Sequence, residues 1–308
     1  MLNIHNLADG NILYNSIITI GNYDGVHLGH RFILDSMCDY SKRSTIPTVL
    51  ITFRPHTNNV IFNSDNDLLT PGNMKIKKLQ LSNLDFVCYV DFDLKMSKMN
   101  VDDFMLILIK KYNPTAFYIG YDNKFGYKRQ GTYKYLKNNV GYKNISIIET
   151  KQFKTNQKNF VKTSLIKKYI INGDIKNANN CLGYNYGLLG KVIKGQGVGK
   201  KIGFPTGNVE LKHNKQLIPS NGVYSVNLET DKIKYKGICN IGVKPTVSSN
   251  KNLSIEVHLL DIDEINLYNK NVCIEFKFKI RQEICFNNIE ELKKQIKKDI
   301  KSLKENNE

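Results

Sequence analysis

The feature that most constrains the fold is a change in hydrophobic pattern near the middle of the 308-residue chain. In the first half, short β-branched runs such as Ser16–Gly21 and Thr48–Phe53 alternate with helical patterns such as Val101–Tyr112. Strands interleaved with helices in this way are typical of a parallel α/β sheet. In the second half, short strands are separated by frequent glycines, which is typical of a small barrel or sandwich. The sequence therefore predicts two domains, 1–184 and 185–308.

Other elements follow from the same periodicities. Two more strands are predicted over Asp85–Phe92 and Ala116–Tyr121, and a helix over about His30–Tyr40. Between the two halves, Gly173 is placed to end one short helix and Asp174 to cap the next. The last helix is predicted from apolar residues at helical spacing: Ile289, Leu292, Ile296 and Ile300. We expect this stripe to pack on the β domain.

The formal net charge of +17 raises the question of a nucleic-acid partner. The lysines, however, are spread along the whole chain among many asparagines and isoleucines, as a coding bias gives a protein of any function. Nucleic acid is therefore not expected as the main partner, whereas attraction of small polyanionic substrates is expected. No run approaches about 18 consecutive apolar residues, and the N-terminal sequence lacks a signal-peptide layout. We expect a cytoplasmic protein without a membrane partner.

The stretch IGNYDGVHLGH, residues 20–30, joins the first predicted strand to the first helix. Free backbone N–H groups and the helix dipole favour an anion at such a junction, and glycines let the backbone approach it. His27 and His30 fall on one face as the helix begins, so both imidazoles can point at the same anion. A metal site would need a third ligand of matching type, and the local candidate is Asp24. The glycines beside the histidines favour a phosphate site.

A second glycine-rich stretch, GKVIKGQGVGKKIGFPTGNVEL, covers Gly190–Leu211. It lacks the Ser or Thr that follows Gly-Lys in a P-loop, and it lacks the third glycine of the dinucleotide-binding fingerprint. On spacing alone, a flexible glycine hairpin and a flap over phosphates both stay open as interpretations.

The run GNYDGVHLGH resembles the His-x-Gly-His element of nucleotidyltransferases. The longer run is similar to the adenylyltransferase half of the bacterial bifunctional riboflavin kinase/FMN adenylyltransferase family, also called FAD synthetase. TFRPHT at 52–57 and GYDNKFGYKRQGT at 120–132 match in the same order. The resemblance implies an α/β nucleotidyltransferase domain with a Rossmann-like parallel sheet, in which an FMN phosphate oxygen attacks the α-phosphorus of ATP and pyrophosphate leaves. His27 and His30 are the implied catalytic residues, because they would stabilise charge that develops on the phosphates.

The same resemblance implies the residues around these phosphates. The implied nucleotide-binding residues of this half are Gly21, Asn22, Tyr23, Asp24, Gly25, Gly29, Ser164 and Lys167, and the implied flavin-binding residues are Asn123, Phe125 and Arg129. The family has arginine where this chain has Lys167, and Leu165 stands at a preceding basic position. Lysine keeps the charge but loses a bidentate contact worth about 1–3 kcal/mol. A riboflavin kinase with an impaired adenylyltransferase domain is therefore the first alternative.

In the second half, GFPTGN at 203–208 resembles the Pro-Thr-Ala-Asn signature of riboflavin kinase. NGVYSV, NIGVKPTV and SIEVHLLD continue the resemblance, which implies an all-β riboflavin-kinase barrel with a C-terminal helix. Thr206 and Asn208 lie two residues apart on an extended chain and present oxygen ligands on one side, which suits Mg²⁺. Glu256 matches the family's catalytic glutamate, the implied base that takes the proton of the riboflavin 5′-hydroxyl.

The remaining expectations also come from the resemblance. The implied nucleotide-binding residues of the second half are Gly195, Gly199 and Lys200, and the implied flavin-binding residues are Tyr224 and Arg281. Mg²⁺ with ATP is the implied cofactor, whereas FMN and FAD are intermediate and product. The implied partners are ATP, riboflavin and FMN, and we expect a monomer or weak homo-oligomer. A nucleic-acid-binding protein that retains a nucleotide fold is the alternative from another class.

Overall fold

A computed structural model gives the fold. It describes residues 2–9, 15–63, 67–155, 160–195, 197, 199, 202–243, 253–262 and 265–305. Contacts between residues divide the chain into two compact units, Met1–Thr163 and Ser164–Glu308.

The first unit contains a parallel six-stranded sheet in the order β1-β4-β3-β2-β5-β6. Its strands are β1 (Asn3–Asn6), β2 (Ser16–Ile20), β3 (Thr48–Arg54), β4 (Phe86–Asp91), β5 (Pro114–Gly120) and β6 (Ser146–Thr150). Its helices are α1 (Leu28–Ser44), α2 (Thr57–Ile61), α3 (Asn73–Leu79), α4 (Leu94–Ser97), α5 (Val101–Tyr112) and α6 (Tyr133–Asn138), with single 3₁₀ turns at Tyr127–Arg129 and Val140–Tyr142. The predicted α/β class is confirmed.

Strand β2 is buried on both faces, which explains its unbroken run of β-branched residues. Ile18 and Ile20 lie in the same apolar cluster as Phe117, whereas Ile17 lies in a second cluster with Leu34 of α1. Successive side chains of a strand point to opposite faces, so β2 joins the two cores. Its carboxyl end therefore lies at a fixed position, where the chain turns into α1.

The second unit is a closed barrel whose strands follow the order β10-β11-β8-β7-β12-β9. Its strands are β7 (Gly187–Ile193), β8 (Thr206–Leu211), β9 (Gly222–Thr230), β10 (Ile233–Val243), β11 (Leu253–Leu259) and β12 (Asn271–Arg281). Its helices are α7 (Thr163–Ile171), which begins at the last residue of the first unit, α8 (Ile175–Leu182) and α9 (Ile289–Glu305). The predicted all-β domain with a C-terminal helix is confirmed.

The two helices before the barrel form as the sequence predicts. Gly173 has φ +77° after α7, and the Asp174 carboxylate accepts a hydrogen bond from Asn177 N at the start of α8. Both helices lie mostly in the second compact unit, although the sequence assigns them to the first domain. The domain division at 184/185 stays a prediction.

The last helix packs on the barrel as predicted, through the C-terminal end of the predicted stripe. Ile289 is 54% exposed, whereas Ile300 and Leu303 pack against Val223. Asp299 is also buried on this face, where it is the ion-pair partner of Arg281 on β12. The apolar pattern alone could not include it, because a carboxylate is buried only where a cation accompanies it.

Candidate functional site

The turn after β2 brings the two predicted histidines together. His27 is the N-cap of α1, where its Nδ1 accepts a hydrogen bond from His30 N at 3.2 Å. An accepting Nδ1 carries no proton, so the neutral ring carries its proton on Nε2. This Nε2 lies 3.2 Å from Thr163 Oγ1. The Nε2–H of His27 therefore points toward the Thr163 hydroxyl.

His30 stacks directly on His27. Their ring centroids are 3.6 Å apart with 15° between the planes, and the Tyr23 ring lies 4.6 Å from His30 on the other side. His30 Nδ1 is buried and has no hydrogen-bond partner. A buried polar atom without a partner costs about 1–3 kcal/mol, which makes this nitrogen a candidate contact for a ligand.

Burial holds both histidines neutral near pH 7. It lowers the pKa of His27 to about 4, although Asp24 opposes the shift. It also lowers the pKa of His30 well below the usual range, with smaller contributions from the charges of His27 and Lys75. Near pH 7 neither ring therefore carries a formal charge, and each can offer one N–H donor.

The polar residues of the turn brace it against a neighbouring loop. The Asp24 carboxylate accepts hydrogen bonds from Leu69 N at 2.9 Å and Thr70 N at 3.0 Å. Gly25 N donates to Thr70 Oγ1 at 2.8 Å, and the Asn22 amide donates to Thr57 Oγ1 at 2.9 Å. These contacts fix the backbone between β2 and α1.

Three other nucleotide-binding predictions of this half lie on the same turn or beside it, within the first unit. Gly21 follows β2, Tyr23 is 3% exposed, and Gly29 lies in the first turn of α1. Ser164 and Lys167 lie on α7, in the second compact unit. The nucleotide-binding roles of all these residues stay predictions.

The predicted flavin-binding residues of the first unit have different environments. The Asn123 amide donates to Ile20 O at the carboxyl end of β2. Phe125 is 7% exposed and packs in the core against Phe117, whereas Arg129 is exposed. Asn123 and Arg129 are the accessible members of this set, and their flavin-binding roles stay predictions.

Lys75 also contacts the turn after β2, although the sequence does not single it out. It lies on α3, and its Nζ donates to Asn22 O at 3.2 Å and Thr52 Oγ1 at 3.0 Å. In the sequence it is one of three lysines within four residues, Lys75, Lys77 and Lys78, and nothing there distinguishes the one that points inward. Only the packing of α3 against the turn does so.

A second polar group of residues lies across three strands of the barrel. Glu256 on β11 is directly opposite Asn208 on β8 and Asn240 on β10, while His258 is opposite Thr206. Residues directly opposite in neighbouring strands share a face, with Cβ atoms about 4.5–5.5 Å apart. The predicted base and the predicted metal ligands are therefore neighbours on one face.

Hydrogen bonds fix this face. Ser254 Oγ donates to Glu256 Oε1 at 3.0 Å, so the carboxylate is held by its own strand. His258 Nδ1 donates to Pro205 O at 2.8 Å, and the Phe204 ring meets the same imidazole edge-on. These contacts fasten the segment before β8 to β11.

The glycine-rich stretch comes very close to the two predicted metal ligands. A Cβ on Gly195 would lie 2.1 Å from Asn208 Nδ2, and one on Gly199 would lie 2.9 Å from Thr206 Oγ1. A side chain at either position would therefore displace its neighbour, which favours a close-fitting flap over a loose hairpin. Lys200, the remaining nucleotide-binding prediction, lies outside the described residues.

The two predicted flavin-binding residues of the barrel already have partners within the fold. Tyr224 is fully buried, and its hydroxyl donates to Ser220 O. The Arg281 guanidinium binds the Asp299 carboxylate through Nε and through Nη2, the latter at 2.9 Å. Their flavin-binding roles stay predictions, although both side chains have a clear structural function.

No group of three or more His, Cys, Asp or Glu side chains in the described part of the chain could hold a metal ion. No helix within the described residues is long and apolar enough to cross a membrane.

Two family models match the chain in the order of its two halves. The model described as FAD synthetase matches residues 10–164, and the model described as Riboflavin kinase matches residues 182–306.

Curated relatives match along nearly the whole chain, and those compared are named bifunctional riboflavin kinase/FMN adenylyltransferase. The protein of Buchnera aphidicola subsp. Schizaphis graminum (strain Sg) is 37% identical and covers 98% of this chain and 96% of its own length. The protein of Bacillus subtilis (strain 168) is 33% identical, covering 92% and 90%. That of Escherichia coli (strain K12) is 31% identical, covering 96% and 94%.

A solved structure resembles the whole chain. The crystal structure titled macrolide-efflux protein from Streptococcus pneumoniae has a TM-score of 0.89 and 23% sequence identity, and covers 97% of both chains. At this identity the likeness shows the fold alone.

Proposed function

The chain belongs to the family of bifunctional riboflavin kinase/FMN adenylyltransferases, and from this premise we propose which residues perform its two reactions. It phosphorylates riboflavin to FMN with ATP, and it adenylylates FMN to FAD with release of pyrophosphate. ATP, riboflavin and FMN are its small-molecule partners. The proposed division assigns adenylyl transfer to residues 1–184 and phosphoryl transfer to residues 185–308.

Adenylyl transfer takes place at the turn between β2 and α1. A phosphate oxygen of FMN attacks the α-phosphorus of ATP, and the bond to pyrophosphate breaks. The nucleophile is already ionised, so this step needs alignment and charge stabilisation rather than a base. The observation that carries the proposal is the pair of stacked histidines at a helix N-terminus, one of them with a buried nitrogen that lacks a partner. Their N–H groups and the backbone of the turn would bind the phosphate oxygens.

Phosphoryl transfer takes place on the face shared by β8, β10 and β11. The riboflavin 5′-hydroxyl oxygen attacks the γ-phosphorus of ATP, ADP leaves, and the Glu256 carboxylate accepts the hydroxyl proton. The observation that supports this role is the register that puts Glu256 opposite Asn208. The hydrogen bond from Ser254 orients the carboxylate for this purpose.

The donor set on β8 fits Mg²⁺. Thr206 and Asn208 offer a hydroxyl and an amide oxygen, which a magnesium ion accepts when substrate phosphates and water fill its other positions. The flap glycines let the backbone approach these two side chains closely, because neither carries a Cβ. Bound there with ATP, the ion would neutralise phosphate charge.

The cytoplasmic location and the monomeric or weakly associated state are parts of the same proposal. They rest on the sequence, as does the expectation that nucleic acid is not a main partner. Gel filtration with and without a short unrelated RNA tests the last two, because a shift to larger size would contradict them.

Separate feeding of the two substrates tests the function. The protein is incubated with Mg-ATP and either riboflavin or FMN, and the flavins are resolved by chromatography. We expect riboflavin to yield FMN and FAD, and FMN to yield FAD. FMN that accumulates without FAD would instead support the impaired adenylyltransferase that Leu165 and Lys167 suggest.

Two variants then separate the sites. Glu256→Gln should abolish FMN formation from riboflavin but leave FAD formation from supplied FMN intact. His30→Ala should have the reverse effect. Loss of both activities in either variant would contradict the assignment to separate sites, provided that circular dichroism shows the variant to be folded.

A further inference from the structure

Lys75 occupies an unusual position for a lysine. Its side chain extends from α3 beneath the turn that joins β2 to α1, and its ammonium donates to Asn22 O and Thr52 Oγ1. The ammonium also lies 5.2 Å from the centre of the Tyr89 ring. Three elements of the first unit are thus held by one side chain, and one of them is the proposed phosphate-binding turn.

The described residues place no carboxylate within ion-pair distance of this ammonium. The Lys75 side chain is half-buried, and the Asp24 carboxylate is the negative charge that acts on it, from beyond ion-pair distance. The stacked histidines beside it are neutral near pH 7, because burial lowers the pKa of both. Lys75 therefore brings to the turn a formal positive charge that the histidines lack.

We propose that Lys75 is a positioning residue for adenylyl transfer, which holds the turn at Asn22 and supplies positive potential to the phosphates bound there. The inference rests on the proposed reaction at His27 and His30. An anionic ligand at the turn would add to the single negative charge that Asp24 supplies within the fold. The favoured ligand is a di- or triphosphate, since its charge exceeds that of a single carboxylate.

The surroundings of Lys75 indicate how this charge depends on pH. The charged and titratable groups around it are Asp24 and His30 on the turn side, Tyr89 from β4, and Arg54, whose guanidinium lies over the same ring. Burial lowers the pKa of Lys75 to about 8, although Asp24 opposes the shift. The ammonium of the free enzyme should therefore lose its proton at mildly alkaline pH.

The test compares Lys75→Met with Lys77→Met. Lys77 lies on the same helix but is exposed, so the second variant makes the same chemical change without touching the turn. FAD formation from supplied FMN is measured from pH 6.5 to pH 9.5, above the phosphate pKa of about 6. FMN formation from riboflavin in the same samples reports whether the rest of the protein is intact.

We expect wild-type kcat/KM for FAD formation to fall above about pH 8, because this ratio reports ionisations of the free enzyme. Lys75→Met should lower it by about 100-fold at pH 7, as misplaced reacting groups do, and should abolish the alkaline fall. Lys77→Met should retain the wild-type rate and profile. FMN formation should be unchanged in both variants.

Two results would overturn the inference. One is a Lys75→Met variant with wild-type FAD formation, and the other is a slower variant that keeps the wild-type alkaline fall, since a purely structural defect would lower the rate at every pH.

If Lys75→Met loses both activities, Lys75→Arg decides, because arginine stays charged throughout the range. Its alkaline fall must then disappear, and a fall that persists at about pH 8 would refute the inference. Wild-type protein that makes no FAD from FMN would refute the proposed function instead.

Discussion

The substitution His27→Asn separates the two tasks that this residue has in the structure. Asparagine is a favoured N-cap, and its side-chain oxygen lies where His27 Nδ1 accepts the hydrogen bond from His30 N. The variant therefore keeps the cap of α1. It loses the Nε2 donor that faces Thr163, and it loses a titratable group. We expect a folded protein that forms FMN from riboflavin but no FAD from FMN.

The magnitude of the stability effect follows from the buried imidazole. Burial lowers the pKa of His27 from 6.5 to about 4 in the folded state. Between these two values the unfolded chain binds more protons, so the free energy of unfolding decreases as the pH falls. For this one group the loss is about 2 kcal/mol between pH 7 and pH 5, and about 3 kcal/mol by pH 4. His30 keeps its own acid dependence in the variant, because burial is the main cause of its shift.

Urea unfolding followed by far-ultraviolet circular dichroism measures this difference, since the chain contains no tryptophan. Wild type and His27→Asn are compared at pH 7 and pH 5, where the second compact unit contributes equally to both proteins. The variant should lose about 2 kcal/mol less than wild type between these values. Equal losses would show that His27 is not held neutral by burial, and persistent FAD formation would show that its Nε2 does not bind the reacting phosphates.

Three further predictions concern the barrel. Gly195→Ala should lower the rate of FMN formation by about 100-fold, because the alanine Cβ would displace the Asn208 amide, and should leave FAD formation from FMN unchanged. The turnover rates of riboflavin and of FMN measure this difference. Asp299→Ala should lower the free energy of unfolding by about 3 kcal/mol, because it leaves the Arg281 guanidinium unpaired. An unchanged midpoint of denaturant unfolding would contradict this explanation. Tyr224→Phe should lower the free energy of unfolding by about 1 kcal/mol, because the hydrogen bond to Ser220 O is lost, and should leave the KM for riboflavin unchanged. A raised KM would instead support the predicted contact between Tyr224 and the flavin.

Local sequence signals are sufficient for most of the secondary structure. The helix Val101–Tyr112 has the bounds that its periodicity predicts, and Gly173 and Asp174 end one helix and begin the next. Helix α1 begins at Leu28 rather than at about His30, because His27 is its N-cap. Histidine is not among the residues preferred at that position, so the sequence does not predict this start. The edge strands β1 and β6 were not predicted, since their short runs carry little apolar pattern.

In the candidate sites too, the sequence predicts the local arrangement of residues but not their tertiary environment. Motif spacing alone predicts that His27 and His30 share a face, and that Glu256 shares one with Ser254, because residues close in sequence have fixed relative directions on a helix or strand. Spacing could not predict that Phe125 would lie in the core, because an aromatic side chain serves a core or a binding site equally well.

The sequence by itself determined the class of each half, the helix and strand periods, and the placement of His27 and His30 on one face at the turn after β2, all of which depend on neighbours within a few residues. Tertiary structure alone decided which charges are buried and what they meet. Lys75 reaches Asn22 and Thr52, and Asp299 reaches Arg281, across distances in sequence that no local pattern spans. The cost of burying a charge depends on partners that only the folded chain brings together.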